Sequence, residues 1–161
     1  MTDLTHDRLK TLLHYDADSG LFTRLIATAK NIKVGDQAGS RDGRYLRFRV
    51  DSHLYKAHRL AWFYFYGYWP YRIDHINGNG LDNRIANLRE ATNSQNIANS
   101  NKRKDNTSGF KGVSLDRTRW MARIGLNNKR VYLGLFDTQE RAHIAYAEAA
   151  KQYFGIFARI K

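Results

Sequence analysis

Cysteine is absent from these 161 residues and proline occurs once. The first absence removes disulfides, Cys-ligated zinc and thiol catalysis, and it fits a reducing compartment. A single proline beside 42% hydrophobic residues argues for folded globular structure. Long apolar runs are missing too. The longest, residues 60–66, falls far short of the roughly 20 residues that a membrane helix needs. The first residues, with Asp3, His6 and Asp7 close to Met1, lack the basic-then-apolar pattern of a signal peptide. A soluble cytoplasmic protein with no membrane partner is expected. Acid is also scarce: 15 Asp and Glu stand against 27 Lys and Arg, for a net charge of +12. Such an excess of base points to a polyanionic partner.

That charge is unevenly spread. Residues 1–73 carry a net +5, residues 74–98 a net −1 and residues 99–161 a net +8. The acidic interlude contains Asp74-His75, a loop rich in asparagine and glycine, then Asn87-Leu88-Arg89 and Asn96. Asp74 offers a hard oxygen ligand, His75 a base that is half neutral at about pH 6.5, and Asn87 and Asn96 uncharged oxygens that can orient or coordinate. These are the parts of a metal-assisted phosphodiesterase. A site that holds a cation needs local acid, whereas its flanks need base to grip phosphates.

Hydrophobic period and turn chemistry predict an α+β fold. Thr5 can cap a helix running to about residue 14, with Leu9, Leu12 and Leu13 as its apolar stripe. Strands are expected at 21–24, 45–50 and 54–56, with an irregular loop around Gly35, Gly39 and Gly43. A helix over 57–66 should stop at Gly67. The aromatics Trp62, Phe63, Tyr64, Phe65, Tyr66, Tyr68, Trp69 and Tyr71 read as core, and His58 as a hydrogen-bonded structural histidine. Short strands at 73–76 and 85–88 precede a helix opened by Thr92 and Gln95 in a capping-box pattern. Adjacent strand residues point to opposite faces, so Asp74 and His75 can share a site only at a strand end or a bulge.

Asp74-His75, Asn87-Leu88-Arg89 and Asn96, preceded by His58-Arg59-Leu60-Ala61-Trp62, resemble the HNH endonucleases of the ββα-metal class, particularly phage homing endonucleases, over residues 44–101. The third position departs from the family name, because Asn96 stands where a histidine is usual; phage members with an H-N-N version exist. The resemblance implies Mg2+ or Mn2+, one per active site, held by Asp74 and Asn96, with Asn93 or Asn99 as alternative ligands. It further implies His75 as general base, its second ring nitrogen bonded to Asn87. A monomer should nick double-stranded DNA, and a dimer or two successive events would break both strands. A DNA-binding protein without catalysis, on the same scaffold, is the alternative, and RNA cleavage a weaker one.

Residues 102–109, beginning Lys102-Arg103-Lys104, read as a basic linker able to follow a phosphate backbone. Beyond it strands are expected at 110–115, 119–126 and 130–135, with Asn127-Asn128 as a hairpin turn. A final helix opens at Asp137-Thr138-Gln139-Glu140 with Ala142, Ala145, Ala149 and Tyr153 on one face. Phe110-Lys111-Gly112-Val113, Trp120-Met121-Ala122-Arg123 and Val131-Tyr132-Leu133-Gly134 resemble the APETALA2 DNA-binding domain over residues 108–158. In that family the sheet lies in the DNA major groove. The resemblance makes Lys111, Trp120, Arg123 and Tyr132 candidate DNA contacts; Arg117, Arg119, Lys129 and Arg130 join them on charge and strand placement. Ser114 replaces the plant family's usual arginine, so its sequence preference does not transfer. The expected organisation is a nuclease domain over 1–101, the linker, and a DNA-binding domain over 110–161.

Overall fold

A computed structural model describes residues 4–160; Met1, Asp3 and Lys161 of the segments above lie outside it. The chain is α+β, its strands collected in several small antiparallel sheets. It forms two compact units, one up to Glu90 and one from Ala91 onward.

In the first unit the Thr5 hydroxyl accepts from the Arg8 amide at 3.2 Å and starts α1, His6–Leu12. This helix is shorter than its apolar stripe suggests. Leu13 turns to extended geometry (φ −137, ψ 141) and begins β1, Leu13–Asp16, so Leu9, Leu12 and Leu13 all reach the core but from two kinds of element. β1 pairs with β2, Leu21–Arg24. A three-stranded sheet follows in the order β3 (Ser40–Asp42), β4 (Tyr45–Val50), β5 (His53–Lys56). β3 falls in the stretch that the sequence leaves irregular. Asp51 and Ser52, at φ 45 and 69, make the tight left-handed turn between β4 and β5.

α2, Ala57–Tyr66, ends where the sequence says. Gly67 adopts φ 80, and its amide donates to the Phe63 carbonyl at 2.9 Å. Leu9 and Leu60 are fully buried beside Phe22, Phe48, Val50 and Phe63, each such side chain contributing about 1.5–3 kcal/mol by leaving water. The aromatic cluster is only partly core. Trp62 and Phe63 are buried, and Trp69 stacks on Phe63 at 4.2 Å, but Phe65, Tyr66, Tyr68 and Tyr71 are exposed. A ten-residue helix against one sheet buries one side, so a run of consecutive aromatics must divide between core and solvent.

β6, Ile73–His75, and β7, Leu88–Glu90, close the first unit as an antiparallel pair. The second strand starts later than expected, since Ile85–Asn87 form a turn of 3-10 helix.

The second unit begins with α3, Asn93–Asn99. Thr92 and Gln95 form the complete reciprocal capping box. β8 (Val113–Asp116), β9 (Arg119–Leu126) and β10 (Lys129–Phe136) make a sheet in the order β10-β9-β8, and α4, Gln139–Phe154, packs on one face of it. Asn127 and Asn128 (φ 50 and 63) form the hairpin turn. Val113 and Ala122 pack with Ala142, and Ile124 with Tyr146 and Ala149. Tyr153, expected on the buried stripe, is 43% exposed; Tyr146, Ala150 and Phe154 fill that side instead. Over 16 residues the 3.6-residue period carries the stripe round to 154.

Candidate active site

The site in the first unit is a β-loop-β segment. β6 and β7 pair in regular register, Asp74 opposite Arg89 and His75 opposite Leu88. There is no bulge. His75 is instead the last residue of its strand, the first of the two ways in which neighbouring side chains can serve one centre. All three residues of β6 are buried.

The connecting loop is held by its own polar side chains. Asn77 Oδ1 accepts from the Asn79 amide at 2.8 Å, and Asn77 Nδ2 donates to Asp82 Oδ2 at 2.7 Å. Arg84 donates to both Asp82 oxygens at 2.9 and 2.7 Å. These bonds, that of Arg84 first, hold the Asp82 carboxyl down at about 2. The Gly78 amide donates to the His75 carbonyl at 2.8 Å. Asparagine and aspartate favour this role because they mimic a backbone turn.

Asn87 belongs to this loop lattice. Its Oδ1 accepts from the Asn77 amide at 3.0 Å, and its Nδ2 donates to Asn77 Oδ1 at 3.1 Å and the Asp82 carbonyl at 2.8 Å. The expected bond from His75 goes elsewhere. His75 Nε2 lies 3.2 Å from Oδ1 of Asn83, a residue only 1% exposed. Asn83 Nδ2 faces the Leu81 carbonyl at 3.4 Å, which sets the amide so that its oxygen meets the imidazole. An amide oxygen facing Nε2 favours the tautomer that carries its proton there. Sequence reading missed Asn83 because it sits in a loop of turn-type residues; only its place after Asp82, eight residues past His75, was there to notice.

The His75 ring is also enclosed by aromatic rings. It meets the His58 ring edge-on at 5.1 Å and the Tyr45 ring at 6.0 Å. Burial, the largest cause, holds the His75 imidazole below its ordinary value, against the raising effects of Asn83, Asp74 and Asp82. The imidazole is neutral at pH 7. His58 is driven further, to about 3, by burial first and then by His75, Lys56 and Arg59. The expectation of a hydrogen-bonded His58 fails at Nδ1, which is buried without a partner. This ring packs against His75.

Asp74 is buried and paired: Arg89 Nε donates to its Oδ2 at 2.9 Å, with Nη2 2.8 Å from the same oxygen. No group of three His, Cys, Asp or Glu that could enclose a metal exists among the described residues. One buried carboxylate with carboxamide oxygens is the donor chemistry of an open, water-rich shell, which suits a small hard cation. Asn96 lies half-buried in the first turn of α3, its amide bonded to the Thr92 carbonyl at 3.0 Å. It is counted with the second unit. Of the alternatives, Asn93 is exposed, and Asn99 is buried and accepts from Arg159 Nε at 3.3 Å.

The candidate DNA contacts of the second unit fall into four groups. Arg123 and Tyr132 are an exposed cross-strand pair on the sheet face away from α4, with Arg130 exposed opposite Gly125. Arg117, at φ 56 in the β8–β9 turn, and Lys129, at the start of β10, are exposed, as are Lys102, Arg103 and Lys104. Arg119 is exposed but engaged, reaching the Leu135 carbonyl at 3.1 Å and Asp137 at 3.2 Å. Lys111 and Trp120 point elsewhere. The Lys111 ammonium donates to the carbonyls of Ile97, Ala98 and Ser100 at 3.0, 2.6 and 2.8 Å, closing the C-terminus of α3, and burial brings it down to about 8. Trp120 shares the inward parity of Ala122 and packs against the core of Val113, Ala122 and Ala142.

Residues 55–98, which run from β5 through β6 and β7 into α3, match the family model described as HNH endonuclease. A nuclease domain is thereby indicated. Protein 3.8 of Escherichia phage T7 is 34% identical over 93 residues, which cover 56% of this chain and 76% of that protein. The chain belongs to the family of that phage protein. APETALA2-like protein 2 of Oryza sativa, in both the indica and japonica subspecies, is 48% identical over 52 residues, 30% of this chain and 12% of each plant protein. No helix among the described residues is long and apolar enough to cross a membrane.

Proposed function

We propose that this protein is a metal-dependent DNA endonuclease of the homing type that cuts one strand at a time. The observation that carries the reading is a buried, neutral histidine at the end of a strand, beside a buried aspartate, within the segment that matches the HNH family. His75 Nδ1 takes a proton from a water as that water's oxygen attacks the phosphorus. The bond to the 3′ oxygen breaks, and the leaving oxygen gains a proton from solvent. Asn83 keeps Nδ1 the basic atom, while Asn77, Asp82 and Asn87 keep the loop from shifting the ring. Asp74 would hold Mg2+ or Mn2+ through oxygen, an ion which when bound supplies positive charge to the phosphate and the departing oxygen. Arg89 orients the Asp74 carboxylate through Oδ2.

The second unit supports a selecting role. Arg123, Tyr132 and Arg130 project from an exposed sheet face, and Arg117, Lys129 and the Lys102–Lys104 cluster add charge. A bare sheet face with base and an aromatic suits a DNA groove. The APETALA2-like relatives strengthen this through the DNA-binding domain that the sequence resembles. Supercoiled plasmid incubated with Mg2+ should be converted to open circles, and EDTA should stop it. His75→Ala should lower the rate about 10²- to 10⁴-fold. Binding without cleavage in Mg2+ and Mn2+ would mark a DNA-binding protein without catalysis and refute the nuclease reading.

A further inference from the structure

Asn83 is not held in place by its own loop alone. Its backbone carbonyl accepts from the Tyr15 hydroxyl at 2.6 Å, in a buried bond spanning 68 residues. Two residues on, the Ile85 amide donates to the Ala17 carbonyl at 3.0 Å. Between them the chain lies directly on Gly20. That glycine has φ +74, and a Cβ there would stand 2.4 Å from the Arg84 nitrogen and 2.5 Å from the Asn83 carbonyl carbon. Tyr15 is itself fixed in the core, its ring 4.7 Å from Phe22 and 5.7 Å from Tyr64. Three contacts from one hairpin thus converge on residues 83–85, and the side chain so presented is the one that meets His75 Nε2.

We propose that the N-terminal hairpin of β1 and β2, which lies wholly outside the matched residues 55–98, is part of the catalytic apparatus: Tyr15, Ala17 and Gly20 hold Asn83, and Asn83 is the positioning residue that orients the general base. The proposal rests on the nuclease reading for its effect on rate but not for its effect on the imidazole. An amide oxygen aimed at Nε2 selects one tautomer and one ring plane. The clamp acts on backbone atoms of residues 83–85, so it sets where that oxygen sits without touching His75.

The test uses the full chain with 15N-labelled histidine, metal-free, near pH 7.5, and nicking kinetics on plasmid with Mg2+. Wild-type His75 should show the Nε2–H tautomer. Asn83→Leu, which keeps the size but removes the acceptor, should give a tautomer mixture and lower kcat about 10- to 100-fold with KM within twofold. Asn83→Asp, which keeps an acceptor, should restore the tautomer. Tyr15→Phe, which leaves the ring in the core, should lower kcat about 3- to 10-fold with KM unchanged. An Asn83→Leu protein that is folded, keeps the Nε2–H tautomer and keeps kcat within twofold would overturn the proposal. If that variant does not fold, Tyr15→Phe decides: unchanged kcat and tautomer overturn the clamp. A wild-type protein that shows the tautomer pattern but does not nick would instead remove the nuclease reading and leave the positioning intact.

Discussion

Acid should loosen the first unit through His58, and the size of the effect can be worked from the burial of that ring. The folded chain holds the His58 imidazole at about 3, whereas in the unfolded chain it titrates near 6.5. The folded value is the lower, so the stability linked to this group is fully present above about pH 6.5 and is lost as pH falls toward 3. Between pH 7 and pH 5 the unfolded chain takes up a proton at this position and the folded chain does not. The resulting loss is about 2 kcal/mol, or roughly thirtyfold in the opening equilibrium. His75, shifted the same way, adds to it. Amide hydrogen exchange at Leu60 and Ala61, both fully buried in α2, reports opening of this unit. After correction for the intrinsic rate, wild-type protection should fall by at least that factor between the two pH values. His58→Leu should lose about 2 kcal/mol less across the same interval. Equal losses in the two proteins would refute the claim that His58 is buried uncharged beside the His75 ring.

The second unit makes its own demands. Gly112 has φ +73, and a Cβ there would stand 2.2 Å from the Tyr146 ring and 2.6 Å from the Arg123 carbonyl, so Gly112→Ala should lower stability by more than about 2 kcal/mol in urea melts. Gly125→Ala, with nothing within 4 Å, should change it by less than about 0.5 kcal/mol. Thr92→Ala removes the bond from the Gln95 amide to the Thr92 hydroxyl, leaves the Thr92 amide free to donate to Gln95 Oε1, and should cost about 1 kcal/mol, read from the melting midpoint. In DNA-binding titrations across salt, Arg123→Ala should reduce the slope of log K against log salt by about 1, whereas Lys111→Met should leave the slope unchanged while lowering the melting temperature.

What could be read in advance divides along physical lines. Local signals held: Gly67 ends α2, Thr92 and Gln95 cap α3, and the Asn127-Asn128 turn joins β9 to β10, because each depends on a few neighbouring residues and their backbone preferences. Where two local signals competed, the periodic one misled. Leu13 continues a helical stripe but takes strand geometry once it can pair with Arg24. Ile85–Asn87 look like strand and coil into a 3-10 turn beneath the loop. The Asp74-His75 pair and Asn87 are visible as a motif, yet the partner of His75 is fixed by Tyr15, and no local pattern announces a bond across 68 residues. Lys111 shows the same limit. Its charge suggests a phosphate, but three carbonyls at a helix end reach it first.

The loop lattice around Asn77 has a consequence for chemical ageing. Asparagine followed by glycine is the pair most prone to spontaneous loss of its side-chain amide, through attack by the next backbone nitrogen, and this chain has two such pairs, Asn77-Gly78 and Asn79-Gly80, a few residues from His75. At the first, the attacking nitrogen is already bonded to the His75 carbonyl and the amide is anchored to Asp82. The folded loop is therefore its own preservative. Damage begins when it opens, and the aspartate left behind would face Asp82, charge against charge.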